Sequence, residues 1–199
     1  MVDHGAGNLV SIAQGLSRAG ADVAVVTRPN DIADAAGIVL PGVGTTGAAM
    51  ERLTAAGFVS PLREWKRPLL GICVGLQLFF EHSEEDGTDA LGLIAGRVGK
   101  LENAPLLPHI GWNDVTLAAD PIFAGIDQGN TFYFVHSYAV VPEDPSVIIA
   151  TTDYGQPFAA AARSGDRVGV QFHPERSGAA GLQLLANFVA ECGRIKDAA

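Results

Sequence analysis

Apolar positions in the first eighty-five residues switch between two periods. Between Asn8 and Ala19 they fall at Leu9, Ile12, Ala13, Leu16 and Ala19, one face of a helix, and Gly20 follows as a C-terminal cap. ADVAVVT (21–27) is a short β-rich run, and GIVLPG (37–42) is a second strand pattern that ends at Pro41. Thr46 to Leu53 and Phe58 to Trp65 return to helical spacing. PLLGIC (68–73) reads as a buried strand, and VGLQLFFEHSEE (74–85) as an amphipathic helix. Strand and helix alternating over short connections predict a parallel sheet covered on both faces.

The second half changes character. RVGKL (97–101), NDVTL (113–117), TFYFVHSYAV (131–140), SVIIATT (146–152), FAAAAR (158–163) and RVGVQF (167–172) all read as strands, with RSGD as a hairpin turn between the last two. A final helix is expected from Ser177, as N-cap, to Cys192, with GRIKDAA as a frayed tail. The expected fold is α/β: a doubly wound, mostly parallel sheet flanked by helices, with an additional antiparallel strand region in the second half. Residues 1–199 are expected to form a single domain. Only MVDH precedes the first glycine loop, GAGN, so the opening strand is short or its start lies upstream of Met1.

Composition narrows the function. The chain is 48% hydrophobic and 18% charged, with 13 basic and 22 acidic residues, a net charge of −9. That balance, without a Lys/Arg run, argues against nucleic acid as a partner. Two cysteines, Cys73 and Cys192, make neither a disulfide framework nor metal-type spacing. No apolar run approaches the ~18 residues of a membrane span, and no basic region followed by an apolar stretch opens the chain. A cytoplasmic protein without membrane contact, metal or cofactor is the expectation.

Cys73 is the candidate for chemistry. It stands between Gly71 and Gly75 where a strand pattern becomes a helix pattern. A nucleophile on a sharp strand-to-helix turn needs small neighbours on both sides, and the helix start favours a thiolate. The ordinary alternative is a buried, inert cysteine. Among five histidines, His173 in QFHPE (171–175) directly follows a strand pattern. Residues two apart in extended chain face the same way, so Glu175 can reach the His173 imidazole and orient it. PGVG (41–44) follows GIVL and should lie at the same sheet edge as Cys73. There Gly42 and Gly44 let main-chain N–H groups face a bound carbonyl, as an oxyanion hole. The loop GAGNLV (5–10) fails the dinucleotide pattern at Val10. Glu84 and Glu85 read as a solvated helix end, or as a contact to a substrate ammonium.

GICVGLQ, PGVG and HPE together resemble the triad-type class I glutamine amidotransferases. PHIGWN (108–113), YFVHSY (133–138) and QFHPERSG (171–178) resemble, within that family, the glutaminase subunits of imidazole glycerol phosphate synthase from histidine biosynthesis. The resemblance implies a flavodoxin-like fold and a Cys73–His173–Glu175 triad that hydrolyses L-glutamine through a thioester, with main-chain N–H groups around Gly42, Val43 and Gly44 holding the oxyanion. It further implies that Gln77, one helical turn past Cys73, and Glu85 contact the glutamine amino-acid portion, and that His136, Ser137 and Tyr138 line the same pocket. The implied partner is a (βα)8-barrel cyclase subunit that receives the ammonia and makes imidazole glycerol phosphate and an aminoimidazole carboxamide ribotide. Asn8, Trp112 and Asn113 match segments near that interface; from the residues alone, Trp112 reads equally as an interface anchor or a core residue. Low activity of the chain alone is also implied. The sequence departs from the family's pattern at His4, where a Tyr is usual, and at Thr45-Thr46, where Ala-Phe is common.

Overall fold

Residues 1–5 and 7–197 are described here from a computed structural model; Ala6 of the GAGN loop and the last two residues of the expected tail lie outside that range. Helix α1 (Leu9–Arg18) buries Ile12, Gly15 and Leu16, as its spacing requires. It ends in a Schellman arrangement: Gly20, at φ 91°, donates its N–H to the Ser17 carbonyl and Ala21 donates to Leu16. The run 21–27 does not become a full strand. Val26 makes a single parallel bridge to Val2, and Val2 in turn donates to the Val39 carbonyl.

Strands β1 (Ile38–Gly42) and β2 (Leu69–Cys73) are buried at every position, as expected of parallel strands covered on both sides. Helices α2 (Thr46–Ala55) and α3 (Val59–Glu64) connect them. Thr45 caps α2, its hydroxyl accepting from the Ala48 N–H at 3.3 Å.

The expected helix 74–85 is a correction. Helix α4 is one turn only, Val74–Gln77, and residues 74–80 are all buried. A segment buried on every side has no polar face, so the run VGLQLFF carries no real amphipathic period. The loop 91–94 takes over its last carbonyls: Leu91 donates to Leu78, Gly92 to Phe80, and Leu93 and Ile94 to Phe79. His82, Ser83 and Glu84 therefore leave the helix, and β3 (His82–Ser83) joins β4 (Thr88–Asp89) and β5 (Gly96–Lys100) in a small sheet.

The second-half strands form with shifted limits, except that NDVTL (113–117), expected as one strand, is divided at Val115 between two strands of different sheets. The strands are β6 (His109–Asp114), β7 (Thr116–Leu117), β8 (Thr131–His136), β9 (Tyr138–Pro142), β10 (Ile148–Asp153), β11 (Pro157–Ser164) and β12 (Arg167–Val170). The long run 131–140 is split at Ser137, since β8 pairs with β6 whereas β9 pairs with β5. The main sheet runs β1-β2-β12-β11-β10-β7, parallel across the first three strands and antiparallel beyond. Gly165-Asp166 makes the two-residue hairpin loop between β11 and β12.

Helix α5 (Gly178–Asp197) extends past the expected end at Cys192, and Gly193 to Asp197 are helical rather than frayed. It packs on α1 where Gly15 meets Leu182 and Leu185. Ser177 does not spend its hydroxyl on capping α5. The hydroxyl donates to the His173 carbonyl at 2.6 Å and accepts from the Tyr133 N–H at 3.0 Å, tying the turn after β12 to β8. No helix among the described residues is long and apolar enough to cross a membrane.

Candidate active site

The strand-to-helix turn after β2 is as tight as the flanking glycines suggest. Cys73 has φ 56°, the sole positive φ of a non-glycine residue among those described. A Cβ on Gly71 would stand 2.6 Å from the Gly75 carbonyl, and one on Gly75 would collide with the Leu40 carbonyl oxygen of β1. The two glycines let α4 lie directly on the sheet and leave Cys73 at the carboxyl ends of the parallel strands.

His173 and Glu175 come to the same place from β12. His173 donates its backbone N–H to the Tyr133 carbonyl at 2.8 Å, and its Nδ1–H donates to Glu175 Oε1 at 3.0 Å. Both side chains are buried. With Nδ1 engaged by the carboxylate, the other ring nitrogen is free for Cys73. Burial alone would lower the imidazole pKa. Hydrogen bonds to Cys73 and Glu175, and the charges of both, outweigh it and raise the value to about 10. Among the described residues Glu175 Oε2 has no hydrogen-bond partner, so the imidazolium is what offsets its buried charge.

A cavity of about 190 Å³ opens at Cys73. Val43 and Gly44 form one wall, with Gly42 one residue behind as the register partner of Cys73. The His136-Ser137-Tyr138 bend, which joins β8 to β9, forms another, and Gln77 and Glu85 also line the space. Asn8 stands at the edge, its side chain making no cap bond to α1. Sequence reasoning thus selects residues that the fold assembles around one cavity. Trp112 and Asn113 lie outside its lining. Trp112 is 55% exposed, which excludes the core alternative. Asn113 donates to the Asp153 carbonyl at 2.8 Å and so holds β6 to β10.

Glu85 is carried by a clamp on the start of α2. Asp86 accepts from the Gly47 N–H at 2.9 Å, and Glu85 faces the Thr46 N–H. Burial, then the charge of Asp86, raises the Glu85 carboxyl above its ordinary value, with the Thr46 N–H opposing. Burial holds His136 neutral, down to about 3, and also lowers His109. Since the Tyr138 carbonyl can only accept, His136 donates to it through Nδ1 at 2.8 Å; its Nε2 then accepts from His109 Nδ1–H at 3.2 Å. His82, by contrast, pairs with Asp89 on the surface.

The sequence departures have places here. The His4 Nε2–H donates to the Pro41 carbonyl at 2.8 Å, at the base of the Gly42–Gly44 loop. The Thr46 hydroxyl donates to Gln77 Oε1 at 3.2 Å. Sequence reasoning missed three participants. Val135 offers a carbonyl 3.8 Å from Cys73 Sγ, Arg176 lines the cavity and lies over the Tyr133 ring at 4.2 Å, and Gln171 lies 3.7 Å from Sγ. Gln171 was findable: it is two residues before His173, on the side that the alternation argument already used for Glu175.

Over residues 1–192 the chain matches the family described as glutamine amidotransferase class-I. The chain belongs to the class-I glutamine amidotransferases. Family members similar to it include the imidazole glycerol phosphate synthase subunit HisH of Synechococcus sp. (strain JA-3-3Ab), 47% identical over 95% of this chain and 91% of that one. The HisH of Moorella thermoacetica is 46% identical over 94% and 92%. A crystal structure of a glutamine amidotransferase superposes with a TM-score of 0.72 at 19% identity, covering 96% of this chain and 97% of that chain, and shares the α/β fold. This amidotransferase chain is therefore of the HisH type, an enzyme subunit, and its relatives' description as subunits implies a partner.

Proposed function

We propose that this chain is the glutaminase of an imidazole glycerol phosphate synthase, acting in the cytoplasm in histidine biosynthesis. It hydrolyses L-glutamine to glutamate and ammonia and passes the ammonia to a (βα)8-barrel cyclase subunit. One observation carries the reading. Cys73, held in a left-handed conformation at the sheet edge, faces the same cavity as His173, which Glu175 backs at 3.0 Å.

Cys73 Sγ attacks the side-chain amide carbon of glutamine, and the carbonyl electrons move onto oxygen. Main-chain N–H groups around Gly42, Val43 and Gly44 stabilise that oxyanion. His173, protonated at rest, gives its proton to the departing nitrogen, and ammonia leaves a thioester on Cys73. The neutral imidazole then takes a proton from water, which attacks the thioester and frees glutamate. Glu175 holds the ring in one orientation throughout. Gln77 and Glu85 hold the amino-acid end of glutamine, Glu85 by its charge, against the wall formed by His136, Ser137 and Tyr138. These steps invoke no cofactor.

The partner docks at the rim. Arg176 lines the cavity and lies over Tyr133, and Tyr133 meets the exposed Trp112 edge-on at 6.0 Å between ring centres. This aromatic path leads from the pocket to an exposed apolar pair, Trp112 and Ile110, two apart on β6. With Asn8 and Asn113 it forms the interface. Ammonia is mostly protonated at neutral pH and is then no nucleophile, which is the physical reason for direct delivery. The test is glutamine hydrolysis by the chain with and without the cyclase subunit. A large rise with the partner, abolished by Cys73→Ala while the two chains still assemble, is expected. Unchanged hydrolysis by Cys73→Ala would refute the assignment of the nucleophile.

A further inference from the structure

Gln171 is fully buried, 0% exposed, just beyond β12. Its Nε2 lies 3.7 Å from Cys73 Sγ, and its Oε1 lies 3.2 Å from Gln77 Nε2. The direction of these bonds is not free. The Tyr138 carbonyl can only accept, and it accepts from Gln77 Nε2 at 3.0 Å. This turns the Gln77 oxygen towards Thr46, whose hydroxyl donates to it at 3.2 Å. The second Gln77 N–H then meets Gln171 Oε1, so the Gln171 amide has its nitrogen towards the sulfur. Donation runs one way, from Thr46 to Gln77 to Gln171 to Cys73, and it ends by presenting an N–H to Sγ. Bonds aligned head to tail polarise one another, and a donor to a charged acceptor is the stronger kind.

We propose that Gln171 is a positioning residue for the nucleophile: it holds the Cys73 sulfur and stabilises its anionic form by donating one N–H. Gln77, which fixes the orientation of Gln171, thereby links the substrate-binding wall to the reactivity of the thiol. The inference rests on the reading of Cys73 as nucleophile and deepens it.

The test uses the full-length chain with its synthase partner. Glutamine turnover gives kcat and KM, and iodoacetamide alkylation of Cys73, resolved from Cys192 by peptide mass mapping, is followed against pH. Gln171→Met removes the donor; Gln171→Asn keeps the amide but is too short to reach. Both should lower kcat by about tenfold with KM changed less than about twofold. Both should also raise the pH of half-maximal alkylation by about one unit. A purely structural role would lower the melting temperature and leave that pH where it is. A folded variant of either kind with the wild-type alkylation profile and kcat would overturn the inference. Cys73→Ala separates the two readings: turnover surviving in it refutes the nucleophile, whereas silent Cys73→Ala beside unaltered Gln171 variants refutes only the role of Gln171.

Discussion

Gly42 and Cys73 are register partners across the parallel strands β1 and β2. The glycine loop and the elbow therefore leave the sheet at the same level, side by side. A Cβ on Gly42 would come within 2.8 Å of the Val74 side chain, so the loop closes onto the first turn of α4 with no space to spare. Gly42, the first of the proposed oxyanion residues, and the proposed nucleophile are positioned by one pair of strands.

Gly75→Ala tests how far the elbow depends on close packing. The added methyl meets the Leu40 carbonyl oxygen inside the buried sheet. The expected cost is about 2–3 kcal/mol, because neither backbone can yield without shifting β1 against α4. Denaturant melts of the variant against wild type measure it. Gly44→Ala meets no atom but is strained by φ 87°, and should cost about 1 kcal/mol.

Glu175→Gln retains shape and removes charge. The amide can present either its oxygen or its nitrogen to His173 Nδ1, so the ring loses its fixed orientation. A fall in kcat on the order of 10²-fold or more is expected, with KM little changed. Steady-state glutamine hydrolysis in the complex checks this.

Two histidines carry opposite pH signatures. His173 titrates at about 10 in the folded chain against an ordinary 6.5. Its contribution to stability is therefore complete below about pH 6.5 and is lost as pH rises towards about 10. His136 titrates near 3 in the folded chain, so its contribution is present above about pH 6.5 and is lost as pH falls towards 3. The melting temperature should fall on both sides. Cys73→Ala, which removes one partner of His173, should flatten the alkaline limb, and His136→Asn the acid limb. Thermal melts between pH 4 and pH 10 provide the measurement.

Trp112→Ala should leave the isolated chain nearly as stable as wild type, within about 0.5 kcal/mol, because the side chain is mostly exposed. Affinity for the synthase partner should fall by about tenfold or more, as expected for an interface tryptophan. Calorimetric titration of the two subunits would show it.

The sequence is most readable where local geometry and chemistry coincide. The elbow could be read because glycines at 71 and 75 have no purpose in an ordinary strand or helix. The His173–Glu175 pair could be read because extended chain places residues two apart on one side. The end of helix α4 could not be read: Leu91 to Ile94, residues a full loop away, take the carbonyls of Leu78, Phe79 and Phe80 just beyond it, where a longer helix would have used them itself. The break at Ser137 was equally hidden, since it depends on β8 and β9 finding different partners. The side-chain role of Ser177 was misjudged because a serine before a helix is usually its cap, and here tertiary bonds to His173 and Tyr133 claim the hydroxyl.

The central claim is that Cys73 is the activated thiol that reacts with glutamine. Treating the chain with a glutamine-like diazoketone and mapping the adduct by mass spectrometry tests it most directly. Cys192 is half-buried, and burial with the charge of Glu191 pushes its thiol up to about 11. The adduct should sit on Cys73, with Cys192 spared and protection by excess glutamine. Equal labelling of the two cysteines, or labelling of Cys73 that glutamine does not slow, would contradict the account.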